Sequence, residues 1–337
     1  MNLLPSAEQQ ELVASARRFV ATEVPVGTPA GHPAALWRRM AALGWLSLGV
    51  DNAHGGAGSI TDQALLFREL GRGLVPGPVL GTALAIAVAV TGGRDDLASS
   101  LMAGGTTAAL AEPWRDASAG ISEGAGVTGR FRVLDLDEAD YVTVLTRDGA
   151  AVLAAEPLRA VALSLPAPDP SVPVALAQLE GTDSATEVVV HDERQADGFA
   201  AHGRTLAAGL LVGVLEAVRD MSVAYVLGRE QFGKPIGSFQ AVKHRCADMA
   251  VRCEAAGSLL WLAALSVDAG EPEADRLTAS AKALASEYAV ASAHDNVQNH
   301  GGMGFTAECS AHLYVKRALE WSVTLGSPEV LLPEVAR

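Results

Sequence analysis

Five prolines at positions 157, 166, 168, 170 and 173 forbid a long helix in that part of the chain, because each removes an amide donor and crowds the preceding turn. Around them stand short runs rich in valine and threonine, at 141–146, 151–154 and 186–190, which suit strands. The texture is helical on both sides. Upstream, Ser6 with Gln9 three residues later is a capping-box signature. Leu12, Val13, Ala16, Phe19 and Val20 follow at helical spacing, with Glu8, Glu11 and Arg18 on the opposite face. Further helices are predicted over 34–43 and 61–70, with a glycine-rich turn, Asp51-Asn-Ala-His-Gly-Gly-Ala-Gly58, between them. Downstream, Leu206, Leu210, Val214, Val218, Met221 and Tyr225 mark a helix over 204–228. Others are predicted over 239–265, over 273–300 with a stop at Gly301-Gly302, and from about 306 onward. The pattern predicts a mostly α protein with a central β-domain: an N-terminal helical domain (1–105), a middle β-domain (106–192) and a C-terminal four-helix bundle (193–337). Apolar stripes on more than one face of the bundle helices predict an oligomer.

The 337 residues are 49% hydrophobic and 19% charged, so there is ample apolar surface to offset chain entropy. A net charge of −14 argues against a protein that coats nucleic acid or anionic lipid, since phosphate binding wants a basic face. Cys246, Cys253 and Cys309 form no C-x-x-C pair and read as ordinary thiols of a reducing compartment. The first ten residues lack the basic flank and apolar core of a signal peptide, and the apolar run at 79–90 is too short to span a bilayer. A cytoplasmic protein with no membrane and no nucleic-acid partner is expected.

Most chemical motifs fail on context. Gly124-Ala-Gly126-Val-Thr-Gly129 matches G-x-G-x-x-G, but it precedes a strand-like 130–136, whereas a dinucleotide turn must open a helix. There is no Walker loop, no G-x-S-x-G and no H-E-x-x-H, and none of the eight histidines has metal-ligand spacing, so no metal site is expected.

Two stretches remain. One is Tyr225-Val-Leu-Gly-Arg-Glu-Gln-Phe-Gly-Lys-Pro-Ile-Gly-Ser-Phe-Gln240, a helix ending in a basic residue, a tight turn, and a helix opening with glutamine. The other is Val297-Gln-Asn-His-Gly-Gly-Met-Gly-Phe305, whose glycine pair permits close backbone approach by a ligand. An arginine, backbone amides and side-chain amides at one corner suit a diphosphate and the polar edge of an adenine. Each stretch taken singly reads equally as an inter-helix turn with ordinary caps.

Together, R-x-x-F-G, I-x-x-F-Q and Q-x-x-G-G-x-G at these spacings resemble the acyl-CoA dehydrogenase family. So does the helical–β–helical order, with Gly55-Gly56 and Glu112-Pro113 as lesser landmarks. The resemblance implies FAD as cofactor and α,β-dehydrogenation of an acyl-CoA thioester. It assigns Arg229, Gln231, Phe232 and Gln240 to the pyrophosphate and adenine side of a neighbouring subunit's FAD. Ile236 and Phe239 would pack beneath them, and Gln298, Gly301 and Gly302 would line the same dinucleotide.

Where the family carries its glutamate base, this chain has Leu325 before Gly326, or Gly203 before Arg204 at the alternative location. Neither can accept a proton. Ala111 stands before Glu112-Pro113 where the family has threonine, Trp114-Arg-Asp-Ala-Ser follows, and Val133 and Asp135 replace a tryptophan and a threonine beside the flavin ring. The pattern is similar to the short subunits of actinobacterial α2β2 acyl-CoA dehydrogenases, which act on bulky CoA esters such as steroid-derived acids. The leading expectation is therefore a subunit that completes the FAD site of a longer partner, with an electron-transfer flavoprotein as acceptor. The alternatives are a self-sufficient homo-oligomeric flavoenzyme with an unrecognised base, for which Glu308, Glu320 and Glu230 are crude candidates, and a non-redox acyl-CoA-binding or scaffold member.

Overall fold

The Ser6 hydroxyl accepts from Gln9 N–H (3.2 Å) while Ser6 N–H donates to Gln9 Oε1 (2.9 Å), so the capping box closes and starts the first helix. The computed structural model describes residues 4–27, 34–114, 119–122, 126–181 and 186–336. Five helices come first: α1 (Ala7–Glu23), α2 (Ala34–Ala42), α3 (Ile60–Arg72), α4 (Val79–Thr91) and α5 (Asp95–Met102). Then come β1 (Ala108–Pro113), β2 (Gly120–Ser122), β3 (Gly126–Leu134), β4 (Tyr141–Leu145), β5 (Ala150–Ala154), α6 (Ala155–Val161), β6 (Leu163–Leu165), β7 (Val174–Glu180) and β8 (Thr186–Val190). The remainder is α7 (Glu193–Gly228), β9 (Glu230–Gln231), β10 (Lys234–Pro235), α8 (Gln240–Asp268), α9 (Ala274–His300), α10 (Ala311–Val323) and α11 (Pro328–Val335). The helical–β–helical order of the sequence is thus present.

Two boundaries differ from expectation. α7 begins at Glu193 rather than at 204, because Asp192 caps it: Gln195 N–H donates to Asp192 Oδ1 (3.0 Å). The glycines at 198 and 203, poor helix formers, hide this stretch from a periodicity reading. The fourth bundle helix starts at Ala311 rather than near 306, since residues Gly301–Phe305 form a 3-10 turn closed by Thr306 N–H on Met303 O (3.0 Å).

The chain divides into two compact units. One, residues 29–63 and 76–203, is built on an eight-stranded sheet of order β6-β7-β3-β1-β4-β5-β8, with β2 paired to β3. Among the described strands of this sheet, only the β1–β4 pair is parallel. Ala109, Ala111, Phe131, Val133, Val142, Val144, Leu153 and Ala177 share one core on this sheet, together with Leu158 of α6. Pro157 falls in the first turn of α6, where a missing amide costs nothing. α4 is apolar nearly all round and accordingly buried. It lies against β1, β4 and β5, with Thr143 Oγ1 donating to Gly81 O (2.8 Å) and Ala108 N–H donating to Thr82 Oγ1 (2.9 Å). The segment at 123–125 lies outside the described residues, and from Gly126 the G-x-G-x-x-G match runs straight into β3, a strand.

The other unit, residues 1–28, 64–75 and 204–337, holds the bundle helices with α1 and part of α3. α3 and α7 touch backbone to backbone. A side chain on Gly71 would strike Leu210 O, and one on Gly213 would strike Arg68 O; a Cβ on Gly209 would lie 2.9 Å from Ala64 O. Charges line the same contact. Arg17 grips the fully buried Glu69 carboxylate with two bonds (2.9 and 2.8 Å), Arg68 and Arg72 face Glu216, and Arg72 and Arg219 hold Asp220. Burial pushes the Asp220 carboxyl upward, but Arg72 and Arg219 more than offset it and leave it below the ordinary range. α8 is long and apolar enough to cross a bilayer by length and composition, but it packs along α9 and is tied there by Arg252 to Asp295 (2.6 Å).

Candidate functional site

Both sequence motifs fall within the bundle unit and at one end of it. After α7, Ile236 N–H returns to Arg229 O (2.8 Å), and β9 pairs antiparallel with β10 across a two-residue turn. The turn residues, Phe232 and Gly233, have φ of 55° and 76°, as a tight hairpin of this type requires. Phe232 is 91% exposed, and its ring stands edge-on to Phe239 at 6.1 Å. The Lys234 ammonium lies 4.5 Å from the centre of the same Phe239 ring. Ile236 and Phe239 are half-buried, whereas Arg229, Gln231 and Gln240 are exposed. Gln240 opens α8, where Phe239 O accepts from Val242 N–H (3.1 Å) and Lys243 N–H (3.0 Å), leaving the amides of Gln240 and Ala241 facing outward from the helix start.

At the other motif α9 ends on Gly301, with φ 60°. Gln298, Gly301 and Gly302 are exposed, while Asn299 and His300 between them are buried. A Cβ added at Gly302 meets nothing within 4 Å, so the fold itself gives no reason for glycine there. The His300 ring stacks on Tyr225 of α7 at 4.2 Å and is oriented by its Nδ1 on Asn296 O (2.8 Å).

Beneath the two turns lies a polar cluster that the sequence reading passed over. Arg245 of α8 donates to Asn299 Oδ1 (2.9 Å), Asn299 Nδ2 donates to Ser222 Oγ of α7 (3.3 Å), and Ser222 donates to Asn296 Oδ1 (2.8 Å). Cys246 Sγ lies 3.7 Å from the same Asn299 amide, and Asp295 bridges Arg245 and Arg252. The available signal was two asparagines at inward positions of an otherwise alanine-rich helix. Burial raises the Cys246 thiol and pushes Cys253 up to about 11, so both stay protonated at neutral pH. All three cysteines are free, with Cys253 buried and the others half-buried.

Neither position expected to carry a base offers a proton acceptor. Leu325 sits in the left-handed region (φ 57°) just after α10, beside Gly326 (φ 106°). The wholly buried Lys282 shapes that turn by donating to Ser322 O and Gly326 O (both 3.2 Å) and to Ser286 Oγ (2.9 Å). Gly203 is not at a helix start but within the body of α7, buried. Of the other glutamates, Glu230 and Glu308 are exposed, and Glu320 is buried within α10. In the sheet unit, Ala111 faces Val133 across β1 and β3 and both belong to the core, so neither side chain is presented to a ligand. Glu112 pairs with Arg132 on the opposite face, and Asp135 has φ 58°. The segment after Trp114, 115–118, lies outside the described residues. The Gly55-Gly56 turn has an internal cause, since a side chain on Gly56 would strike Val50 O and Gly55 has φ 78°. Among the described residues no group of three or more His, Cys, Asp or Glu is placed to hold a metal.

Comparison with known proteins agrees with this architecture. Residues 6–102 match the acyl-CoA dehydrogenase N-terminal domain and residues 194–337 the acyl-CoA dehydrogenase C-terminal domain. The acyl-CoA dehydrogenase IpdE2 of Mycobacterium tuberculosis is 32% identical over 326 residues, covering 95% of this chain and 92% of its own. FadE34 of the same organism is 36% identical over 291 residues, 83% of this chain but only 38% of its own length. Among solved structures, a chain of the M. tuberculosis ChsE4–ChsE5 complex superposes with a TM-score of 0.88 at 25% identity, over 100% of this chain and 98% of its own. With the helical–β–helical order and both bundle motifs in place, the chain belongs to the acyl-CoA dehydrogenase family of oxidoreductases.

Proposed function

We propose that this chain is one subunit of a heteromeric acyl-CoA dehydrogenase. It supplies the nucleotide corner of an FAD site, while a longer partner supplies the base and most of the acyl pocket. One contrast carries this reading. Arg229, Gln231, Phe232, Gln240, Gln298 and Gly302 are all intact and exposed at one bundle end, whereas the base positions hold Leu325 and Gly203. A well-placed base is worth roughly 10²–10⁴-fold, so its loss is hard to reconcile with a self-sufficient site.

The residues fit FAD. The guanidinium of Arg229 and the amides of Gln240 and Ala241 at the start of α8 suit a diphosphate, and the Gln240 and Gln298 side chains offer amide edges to an adenine. The open space at Gly302 is what close backbone approach by a dinucleotide requires. FAD, when bound, supplies the hydride acceptor for α,β-dehydrogenation of an acyl-CoA thioester. This chain's part is to bind and orient the nucleotide half and to shield it from water.

Leu227, Phe232, Val251, Met303 and Phe305 leave large apolar side chains exposed on the same unit, which favours a covering chain. The similarity to a chain of the ChsE4–ChsE5 complex supports a second family member as that cover. Bulky CoA esters as substrate, an electron-transfer flavoprotein as acceptor and a cytoplasmic location complete the proposal.

The test is the visible absorption spectrum, with flavin counted per protomer, of the chain purified alone and co-purified with a longer family chain. Little flavin alone and about one per pair with the partner is the expected result. A tightly held flavin on the isolated chain, reduced by an acyl-CoA at the rate of ordinary family members, would refute it.

A further inference from the structure

We infer that Asn299 is a positioning residue that locks the two halves of the nucleotide corner into register. This deepens the FAD reading above and rests on it. The Asn299 side chain, in a residue only 5% exposed, reaches all three helices that carry the motifs. It belongs to α9, one residue after Gln298 and two before Gly301. Its Oδ1 accepts from Arg245 on α8, five residues after Gln240, and its Nδ2 donates to Ser222 on α7, seven residues before Arg229.

The hydrogen bonds run in one direction, from the Arg245 guanidinium through Asn299 and Ser222 to Asn296 Oδ1. The chain ends on Asn296 Nδ2, which is buried and meets no acceptor among the described residues. Stability alone would not build this. An interior amide left with an unmet donor carries a desolvation penalty that a leucine avoids. What a buried polar contact provides and an apolar one does not is a single register, because a leucine tolerates sliding and a hydrogen bond does not. Sliding one helix by a single residue moves its surface groups by about 1.5 Å, beyond the roughly 0.5 Å to which a binding constellation must be held. Asp295, held by Arg245 and Arg252, repeats the α8–α9 tie a turn further in, so the lock has a second point of purchase.

The experiment compares wild type with Asn299→Leu, and with Ser222→Ala in case the first does not fold. Each is assembled with the longer partner and titrated with FAD by flavin fluorescence, with amide hydrogen exchange on the flavin-free assembly in parallel. The control is Leu331→Ala. It empties a packed site on α11 against Ala279 and Ala283 and so lowers the melting temperature without touching the motifs.

We expect Asn299→Leu to weaken FAD binding by about tenfold or more, and Ser222→Ala by less. Exchange at 229–240 and 298–302 quickens in both, while α10 and α11 are unchanged. Leu331→Ala keeps wild-type affinity despite its lower melting temperature. Unchanged affinity in Asn299→Leu overturns the proposal, and so does an equal loss in Leu331→Ala. If wild type takes up no FAD in any assembly, the cofactor reading itself falls, and the exchange data then decide alone whether Asn299 sets the register.

Discussion

Gly301 and Gly302 are adjacent and are glycine for different reasons. Gly301 adopts φ 60°, where an L side chain is strained, so its requirement belongs to the turn that ends α9. Gly302 faces open space, so in the proposed reading its glycine serves the approach of the nucleotide. Gly302→Ala is therefore expected to change unfolding free energy by less than about 0.5 kcal/mol while weakening FAD retention in the assembled protein. Urea unfolding and a flavin titration separate the two effects. An equal loss in both would return Gly302 to the turn. The motif residues themselves were legible because spacing, not packing, defines them. Asn299 was not, since a buried asparagine looks like any other polar residue until its partners prove to come from two other helices, Arg245 and Cys246 from α8 and Ser222 from α7.

Among the elements, the α3–α7 crossing makes the sharpest prediction. Gly213→Ala puts a methyl group onto Arg68 O, and overpacking of this kind costs about 1–3 kcal/mol, which thermal unfolding would register. Gly257→Ala on α8, where a Cβ meets nothing within 4 Å, serves as the matched control and should be neutral or mildly stabilising. The same glycines explain where element boundaries were missed. Gly198 and Gly203 interrupt the apolar period, so the first eleven residues of α7 read as linker although Asp192 caps them. α5, α6, β6 and β7 also escaped notice. β7 has the alternation of a strand, but its neighbours Pro170 and Pro173 dominate a local reading, and its seven-residue pairing with β3 is a long-range fact. The long proline-free helices, by contrast, announce themselves through period and caps, which is why α8 and α9 were found within a few residues.

For the whole molecule, one contact through which pH acts is the charged meeting of α1, α3 and α7. Asp220 has a depressed carboxyl, so its stabilising contribution is complete above the ordinary carboxylate range near pH 4 and is lost as pH falls through its lower folded value. Arg72, Arg219 and Glu216 are the charged groups that surround it in this contact. Asp220→Asn should cost at most about 1 kcal/mol at pH 7, because the group is partly exposed, and the gap from wild type should close toward pH 3. Urea unfolding at several pH values checks the sign; a gap that widens in acid would contradict it. The glycine crossing next to these charges also bears on how such a chain can change over time. Because Gly71, Gly209 and Gly213 bring two backbones into contact, none of the three can acquire a side chain unless the facing helix withdraws. Surface residues can drift one at a time, but these three are bound to one another's fate. An alanine at any one of them carries the overpacking cost unless the facing backbone shifts with it.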